Sequence, residues 1–284
     1  MKLIFILALL SLAFFACENK ANTDLTDKSL MKTEIVKQEF QSILDSVDLE
    51  GSILIYDLQK KIYFSNDFEW AKKGKLPAST FKIAHSLIAL ETKVVEDDQT
   101  LFRWDGEERA LKSWEQDLIF RDAFHFSCVP CFQQVARKIG LQRMTEYLRK
   151  FNYGSIELDS TNIDLFWLEG DSRINQIEQI DFLLSFYKSE LPISERSRKI
   201  MRQVMVMEEN KDYKLSGKTG WSTQNGINNG WFVGYIESGN RIYFFATNVE
   251  PKAAFSMERF PMIRKEVTIL ALKQIEALKT IFRN

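Results

Sequence analysis

Strand-like segments lie near both ends of this chain, and the long stretch between them has mostly helical patterns. A hairpin pattern comes first and three strand patterns joined by short turns come last; they cover 52–56, 61–64, 213–219, 230–237 and 241–248. Strands at both ends with helices between them imply one antiparallel sheet and a helical insertion. We therefore predict an α+β fold of the α/β sandwich type, in which N- and C-terminal helices flank the antiparallel sheet and a mostly helical subdomain is inserted.

Apolar residues at helical spacing predict the helices of the insertion and of the flanks. The predicted helices cover 31–47, 80–91, 130–139, 141–151, 176–188, 194–208 and 259–280. Gly140 separates two of them and Gly154 follows the second, as glycine does at helix ends. The segment 92–126 is mixed and aromatic.

Composition and charge limit the classes of partner. The chain has 284 residues, 45% of them hydrophobic, which is enough for one large domain or two interleaved subdomains. Its net charge of −1 provides no overall field that would attract nucleic acid, so we expect no nucleic-acid partner.

The N-terminal segment has the pattern of an export signal. Residues 1–17 begin Met-Lys and continue as an almost unbroken apolar run to Phe15-Ala16-Cys17, too short to span a bilayer comfortably. We expect a signal peptide over 1–17, a flexible polar tether over 18–30 and the functional domain over 31–284. The alternative is an uncleaved membrane anchor.

Ser79 and Lys82 form an S-x-x-K pattern at the start of a predicted helix. The i, i+3 offset places both side chains on one side of the helix. A serine is a good nucleophile only when a base takes its proton, and a lysine is a good base only when burial lowers its pKa. The pattern by itself is not specific, because Ser29–Lys32 and Ser185–Lys188 also match it.

Two further motifs downstream add to this pair. Ser127 in Ser-Cys-Val supplies a second hydroxyl that can relay a proton to a leaving nitrogen. The chain's single Lys-Thr-Gly, at Lys218 and Thr219, ends a predicted strand. Such a lysine and threonine can hold a substrate carboxylate while the strand backbone pairs with an amide. Together the motifs predict an acyl-transfer site with a nucleophile, a base, a relay and an anion clamp.

With these motifs the chain resembles the penicillin-recognising serine enzymes, and within them the class D β-lactamases, from about Gly51 to Arg264. The motifs are Ser79-Thr80-Phe81-Lys82, Ser127-Cys128-Val129, Tyr153-Gly154-Ser155, Trp167-Leu168-Glu169-Gly170, Lys218-Thr219-Gly220-Trp221 and Gly230-Trp231-Phe232-Val233-Gly234. The class A motifs Ser-Asp-Asn and Glu-x-x-Leu-Asn are absent from the sequence. Ser155 departs from the family, which usually has Asn there, and we expect this departure to be tolerated.

The resemblance implies four catalytic residues. Ser79 attacks the lactam carbonyl. Lys82, carboxylated by CO2 to N6-carboxylysine, is the base for acylation and deacylation. Trp167 donates its indole N–H to that carbamate, and Ser127 relays the proton to the lactam nitrogen. The resemblance implies no metal and no cofactor other than this CO2.

For substrate binding, the resemblance implies a set of residues around the Lys-Thr-Gly strand: Val129, Lys218, Thr219, Gly220, Trp221 and Arg264. Lys218, Thr219 and Arg264 bind the substrate carboxylate. The backbone N–H groups of Ser79 and Trp221 form the oxyanion hole. An apolar shell that includes Val129 keeps the Lys82 amine uncharged, as its reaction with CO2 requires.

The function implied is a serine β-lactamase that hydrolyses penicillin-type antibiotics, confers resistance and acts in the periplasm on a small-molecule β-lactam. Cys17 resembles the lipidated cysteine of bacterial lipoproteins, although Phe14-Phe15-Ala16 differs from the usual small residues. Membrane attachment is expected only through a lipid on Cys17. The oligomeric state does not follow from the sequence.

The histidines and cysteines allow other interpretations of the site. His125, Cys128 and Cys131 have metal-like spacing without a clear fourth ligand, and the cysteine pair has redox-motif spacing without a preceding βαβ unit. In an exported chain a disulfide or two packed thiols remain open. His85 lies one turn inside the Ser79 helix and is expected to be a core residue rather than part of a Ser-His-Asp triad.

The main functional alternative is a binding module, the extracytoplasmic penicillin sensor, which shares these motifs but stays acylated. Such sensors are attached to several membrane helices and an intracellular signalling part, whereas this sequence contains only the signal. We therefore expect the hydrolase, with a penicillin-binding transpeptidase as the third interpretation. Turnover of the acyl-enzyme distinguishes the three.

Overall fold

The strand segments from both ends of the chain pair in a single sheet. Across residues 33–277, which are those that the structure, a computed structural model, describes, this sheet has seven strands. In spatial order they are β1 (Thr33–Val36), β3 (Ile62–Ser65), β2 (Leu49–Asp57), β9 (Arg241–Pro251), β8 (Ile227–Ser238), β7 (Lys214–Gln224) and β6 (Val206–Glu209). Every neighbouring pair is antiparallel except β1 and β3, which are parallel. The predicted α+β architecture is therefore confirmed.

Parts of the predicted domain organisation lie beyond this range. The predicted signal peptide over 1–17, with Cys17, and the tether over 18–30 are outside the described residues. Within 33–277, no helix combines the length and the apolar character that crossing a membrane requires.

The part of the chain between 33 and 277 contains nine α-helices. They are α1 (Gln38–Asp45), α2 (Phe68–Ala71), α3 (Lys82–Glu91), α4 (Phe120–His125), α5 (Val129–Ile139), α6 (Leu141–Phe151), α7 (Gln176–Tyr187), α8 (Glu195–Val204) and α9 (Phe260–Gln274). Two short strands, β4 (Leu101–Phe102) and β5 (Leu118–Ile119), pair within the predicted mixed segment. A capping box between Asn175 and Glu178 begins α7 by satisfying the free N–H groups of its first turn.

Two hydrophobic cores lie on the two faces of the sheet. Ile53 and Ile55 of β2 belong to one core, and Leu54 and Tyr56 belong to the other, as the alternation of side chains along a strand requires. Helices α1 and α9 contribute to the first core. The second core includes the insertion helices, and every residue of α3 from Lys82 to Leu90 is buried. The fold therefore removes α3, and the lysine that begins it, from water.

Two of the predicted helices are partly wrong. In the helix predicted over 31–47, residues Thr33–Val36 form β1 instead, and α1 begins only at Gln38. Three of the four β1 residues are β-branched, which suits a strand, and pairing with β3 overrides the helical spacing. The helix predicted over 194–208 ends at Val204 and the chain continues as β6, because the following residues pair with β7.

Candidate active site

Ser79 lies in a one-turn 3-10 helix, Ala78–Phe81, that leads directly into α3. Ala78 has a positive φ of 51°, and its N–H donates to the carbonyl of Trp167 at 2.7 Å. A non-glycine residue in this left-handed region is held there by its surroundings and often marks a functional site. The side chain of Ser79 is almost withdrawn from solvent, with 6% of its surface exposed.

Strand β7 packs closely against the Ser79 turn because residue 220 is glycine. A Cβ atom at Gly220 would lie 3.1 Å from the methyl carbon of Thr80 and 3.3 Å from the Cβ of Ala78. Both separations are tighter than ordinary side-chain contacts, so a larger residue would push β7 away from the turn. The glycine of the Lys-Thr-Gly motif therefore brings the strand to Ser79.

Lys82 is positioned to interact directly with Ser79. Its Nζ atom lies 3.2 Å from Ser79 Oγ, within hydrogen-bond distance, and 4.9 Å from the ring centroid of Phe132. The lysine is completely buried, and this burial lowers its pKa to about 7 because the ammonium group loses its hydration. Much of the amine is therefore uncharged near neutral pH, as a base for Ser79 must be.

Trp167 belongs to the aromatic shell of this pocket. Its side chain is completely buried and stacks on Phe81 with ring centroids 5.6 Å apart. Its Nε1–H group has no hydrogen-bond partner among the described residues. Because an unpaired buried donor is costly, this N–H is available to an acceptor brought into the pocket.

Ser127 faces the lysine of the Lys-Thr-Gly motif. It lies between α4 and α5 with a positive φ of 54°, and its Oγ accepts a hydrogen bond from Lys218 Nζ at 2.5 Å. Lys218 also donates to the carbonyl of Thr219 at 3.0 Å. The structure thus brings two separate sequence motifs into contact through a hydroxyl and an amine.

Arg264 reaches β7 from helix α9. Its guanidinium donates to the carbonyls of Gly220, Phe260 and Pro261. Burial lowers the pKa of Arg264 to about 10, which leaves the group charged at neutral pH. Gly230 on β8 makes room for it, since a Cβ there would lie 2.8 Å from Arg264 Cδ.

Lys82, Lys218 and Arg264, three buried basic side chains, form an electrostatic cluster. Burial lowers the pKa of Lys218 first, and the charges of Lys82 and Arg264 lower it further. Among residues 33–277, no carboxylate forms an ion pair with any of the three. The charged Arg264, beside two basic amines and without a carboxylate partner, gives the site a positive potential that attracts an anion.

Trp221 forms the open side of this cluster. It follows Gly220 on β7 and is 39% exposed, while its Nε1–H donates to Asn228 Oδ1 at 2.9 Å. Its ring packs edge-on against Phe260 with centroids 5.2 Å apart. An exposed aromatic ring beside the cations provides an apolar contact for a bound molecule. Val129, at the start of α5, is half-buried.

Known proteins are similar to this chain in sequence. The family model described as the penicillin binding protein transpeptidase domain matches residues 51–262. The β-lactamase OXA-48 of Klebsiella pneumoniae is 40% identical over 218 residues, which cover 77% of this chain and 82% of that protein. The β-lactamase OXA-10 of Pseudomonas aeruginosa is 41% identical over 205 residues, 71% of this chain and 77% of that protein.

A solved structure agrees with both. The crystal structure of a class D β-lactamase from Sebaldella termitidis matches with a TM-score of 0.80 at 36% identity, covering 86% of this chain and 98% of that one. The chain belongs to the class D β-lactamases. It is therefore a hydrolase, and its seven-stranded sheet with flanking helices is the fold of that family.

In this class D β-lactamase the two cysteines near Ser127 form a disulfide. Cys128 and Cys131 are joined across the first turn of α5, with Cα atoms 5.4 Å apart. Between residues 33 and 277, no group of three or more His, Cys, Asp and Glu side chains is arranged to hold a metal ion. The disulfide alternative is the one observed, and the metal interpretation, which needs free thiolates, is not supported.

Ser155, where class D β-lactamases usually have Asn, lies in an isolated backbone pair. Its N–H donates to the carbonyl of Arg173 at 2.8 Å, the reverse bond is 2.7 Å, and its side chain is exposed. The preceding Gly154 has a φ of +59°, and a Cβ there would lie only 2.5 Å from the Arg173 carbonyl oxygen. This segment is held by its backbone, so the identity of residue 155 is not needed for its conformation.

Three contributors to this class D site were not predicted from the sequence. Phe132 lies over the Lys82 amine, Gly230 makes room for Arg264, and His85 joins the aromatic shell. Phe132 and His85 look like ordinary core residues in the helical pattern. Only Gly230 had a signal, since it opens the Gly-Trp-Phe-Val-Gly motif.

Proposed function

We propose that this protein hydrolyses the β-lactam amide of penicillin-type antibiotics through an acyl-enzyme on Ser79. The observation that carries the proposal is the 3.2 Å contact between Ser79 Oγ and the buried Lys82 Nζ. A hydroxyl beside a base whose pKa is about 7 can be activated at neutral pH. The names of the related β-lactamases OXA-48 and OXA-10 support the substrate class.

In the proposed acylation, the base on Lys82 takes the proton of Ser79 as Oγ attacks the lactam carbonyl carbon. The C–N bond then breaks, Ser127 gives a proton to the leaving nitrogen, and the proton taken by the base on Lys82 passes to Ser127, so that both groups return to their starting states. Because Ser127 Oγ accepts from Lys218, its own O–H remains free to donate toward the substrate. In deacylation, the same base takes a proton from the water that attacks the ester carbonyl carbon. The bond between that carbon and Ser79 Oγ then breaks, and the base gives the proton to Oγ.

We propose that CO2 is added covalently to Lys82. The neutral Nζ attacks the carbon of CO2, an N–C bond forms and one proton leaves to solvent. The pKa of about 7 and the unpartnered Nε1–H of Trp167 support this fit. The carbamate would supply an anionic base that stays ionised at neutral pH, and Trp167 would hold it by donating its indole N–H.

We propose that the cation cluster binds the carboxylate of the substrate. Lys218 and Arg264 supply the positive charge, and Thr219, half-buried on the same strand, supplies a hydroxyl. A carboxylate would offset the repulsion that the two cations exert on each other. Hydrogen bonds between charged partners are about twice as strong as neutral ones, so this contact would anchor the substrate.

The oxyanion hole is proposed to consist of the backbone N–H groups of Ser79 and Trp221. The close packing of Gly220 against the Ser79 turn supports the pairing of a donor on β7 with one on the turn. One such donor typically contributes about 100- to 1,000-fold to the rate. Val129 and Gly220 complete the proposed binding surface.

We further propose that the protein is exported to the periplasm and confers β-lactam resistance, with membrane attachment only through a lipid on Cys17. The signal pattern over 1–17 and the β-lactamase relatives support this. Expression in a susceptible bacterium should raise the inhibitory concentration of a penicillin, and the Ser79→Ala variant should not.

Intact-mass spectra after penicillin addition test the proposed reaction. We expect a transient adduct, equal in mass to the intact antibiotic, that disappears as hydrolysed product accumulates, and no adduct on Ser79→Ala. The control is Ser86→Ala, which removes a buried hydroxyl of α3 about two helical turns after Ser79. An adduct on the Ser79→Ala variant would place the nucleophile elsewhere. A permanent adduct on the wild type would favour the sensor.

A further inference from the structure

His85 is a buried polar residue that the proposed reaction does not use. It lies on α3 one turn after Lys82, and none of its surface is exposed. Neither Nδ1 nor Nε2 has a hydrogen-bond partner among the described residues. Because buried polar atoms are almost always paired, an imidazole with two unpaired nitrogens indicates a partner that binds there.

His85 shares an aromatic neighbour, Phe132, with Lys82. Its ring centroid lies 5.3 Å from that of Phe132, the ring that also contacts Lys82 Nζ at 4.9 Å. It lies 5.4 Å from the ring of Trp167 and 5.2 Å from that of Phe81. His85 and Trp167 therefore place unpartnered nitrogens in the aromatic shell that also encloses Lys82.

The electrostatics of the pocket keep His85 neutral. Burial first, and then the charge of Lys82, lower the pKa of His85 to about 3. At working pH the ring therefore has one N–H donor and one acceptor nitrogen, and it carries no charge. A neutral imidazole N–H can donate a hydrogen bond to an anion but is too weak an acid to protonate it. It therefore suits a ligand that must remain ionised.

We propose that His85 is a positioning residue for carboxylated Lys82, and that it supplies, together with the indole of Trp167, the second buried N–H donor to the carbamate. This inference rests on the proposed carbamate. It gives the unpartnered nitrogens of Trp167 and His85 one common acceptor. It also explains why a histidine occupies a helix position at which an apolar residue would fill the same space.

A bicarbonate titration tests the proposal by the affinity for CO2 rather than by activity. The carbamate carbon is observed by 13C NMR with 13C-labelled bicarbonate. The bicarbonate concentration at which its signal reaches half of the maximum, the midpoint, is compared between variants. His85→Phe keeps an aromatic ring but removes both nitrogens, so we expect the midpoint to rise by about tenfold. His85→Asn retains an N–H donor, and we expect its midpoint to stay within about threefold of the wild type.

The matched control is Ser86→Ala. Ser86 Oγ is also buried and unpartnered and lies next to His85 on α3, but the proposal gives it no part in the carbamate. Its midpoint should equal that of the wild type. An unchanged midpoint in His85→Phe would overturn the proposal, and so would an equal increase in His85→Phe and Ser86→Ala, because that would indicate a general effect of altered packing.

A second measurement uses the wild-type protein, in case His85→Phe does not fold. The chain has two histidines, and His125 is exposed, so its ring signals serve as an internal reference. We expect the ring 15N and N–H signals of His85 to shift when bicarbonate is added, and those of His125 to stay in place. Signals of His85 that do not respond to bicarbonate would overturn the proposal.

The outcomes separate this inference from the function on which it rests. A wild-type spectrum without a carbamate carbon at any bicarbonate concentration would overturn the carbamate and the role of His85 together. A wild-type carbamate that binds equally well in His85→Phe would overturn only the role of His85.

Discussion

The pocket around Lys82 and the strand edge around Lys218 each contain a buried lysine, but the two have different neighbours. Lys82 contacts one hydroxyl, that of Ser79, and the ring of Phe132. Lys218 donates to the Ser127 hydroxyl and to a backbone carbonyl. Burial alone lowers the pKa of Lys82, whereas burial and two nearby cations lower the pKa of Lys218.

From this difference we propose that Lys82 acts in the chemical step and that Lys218 acts in substrate binding. A bound carboxylate would offset the repulsion at Lys218 and restore its charge, so we expect Lys218 to remain a donor through the reaction. No carboxylate among residues 33–277 pairs with Lys82 to favour its charged form, and burial lowers its pKa, so that amine is suited to react. Two buried lysines in one site can thus have separate roles because their neighbours differ.

The largest effect is expected from removing the Lys82 amine. Lys82→Ala should slow acylation by roughly 1,000-fold, because the base for Ser79 is lost. The measurement is the rate at which the acyl-enzyme forms, followed by rapid-quench mass spectrometry. If acylation fell by less than about tenfold, another group would have to activate Ser79, and the comparison between the two lysines would fail.

A smaller effect is expected from removing the Lys218 amine. Lys218→Ala should lower kcat/KM by about 100-fold, mainly through KM, because a charged hydrogen bond to the substrate carboxylate is lost. The control is Lys214→Ala, at the start of the same strand, where the lysine pairs with Glu209. A loss confined to kcat would place Lys218 in the chemical step, as we propose for Lys82.

The pH dependence should follow the pocket lysine. Burial lowers the pKa of Lys82 to about 7, so the neutral amine that reacts with CO2 becomes scarce as pH falls below that value. Steady-state rates should therefore decline on acidification and in degassed buffer. Added bicarbonate should raise them several-fold, to about their level at higher pH, because more CO2 drives carbamate formation by mass action. Trp167→Ala should need more bicarbonate for the same recovery. Equal rates with and without bicarbonate at mildly acid pH would mean that Lys82 acts as a free amine.

Along the chain, the disulfide lies between Ser127, which contacts Lys218, and Phe132, which contacts Lys82. Replacing both Cys128 and Cys131 with alanine should leave turnover within about threefold and lower the free energy of unfolding by about 2 kcal/mol, the effect of closing so short a loop. Denaturant unfolding and steady-state kinetics measure the two quantities. A chelator should change neither, and loss of activity on chelation would revive the metal interpretation.

The smallest effect is expected outside both regions, at Ser155. Its exposed side chain can make one of the hydrogen bonds that an Asn would make. Ser155→Asn should therefore change kcat/KM by no more than about tenfold, or 1.4 kcal/mol. A larger change in either direction would show that the activity depends on this position as well as on the two lysines.

Sequence patterns predicted the parts of the molecule that depend on local spacing. The helix that begins at Lys82 and the strand that carries Lys218 were both predicted, because helical and strand periodicity extend over many neighbouring residues. The resemblance of the motifs then identified the family. The prediction failed where pairing with another strand decided the conformation, as in Thr33–Val36 and Val206–Glu209.

By itself, the sequence determined which chemical groups the site contains and in what order: a serine, a lysine, a second serine and a Lys-Thr-Gly strand. Only the tertiary structure decided their environments. The dryness of the Lys82 pocket comes from Phe132 and Trp167, which lie far from Lys82 along the chain. The unpartnered nitrogens of His85 and the disulfide of Cys128 also appear only in the folded chain. The physical reason is that a pKa and a hydrogen bond depend on the neighbours of a group in space, whereas a motif records only its neighbours along the chain.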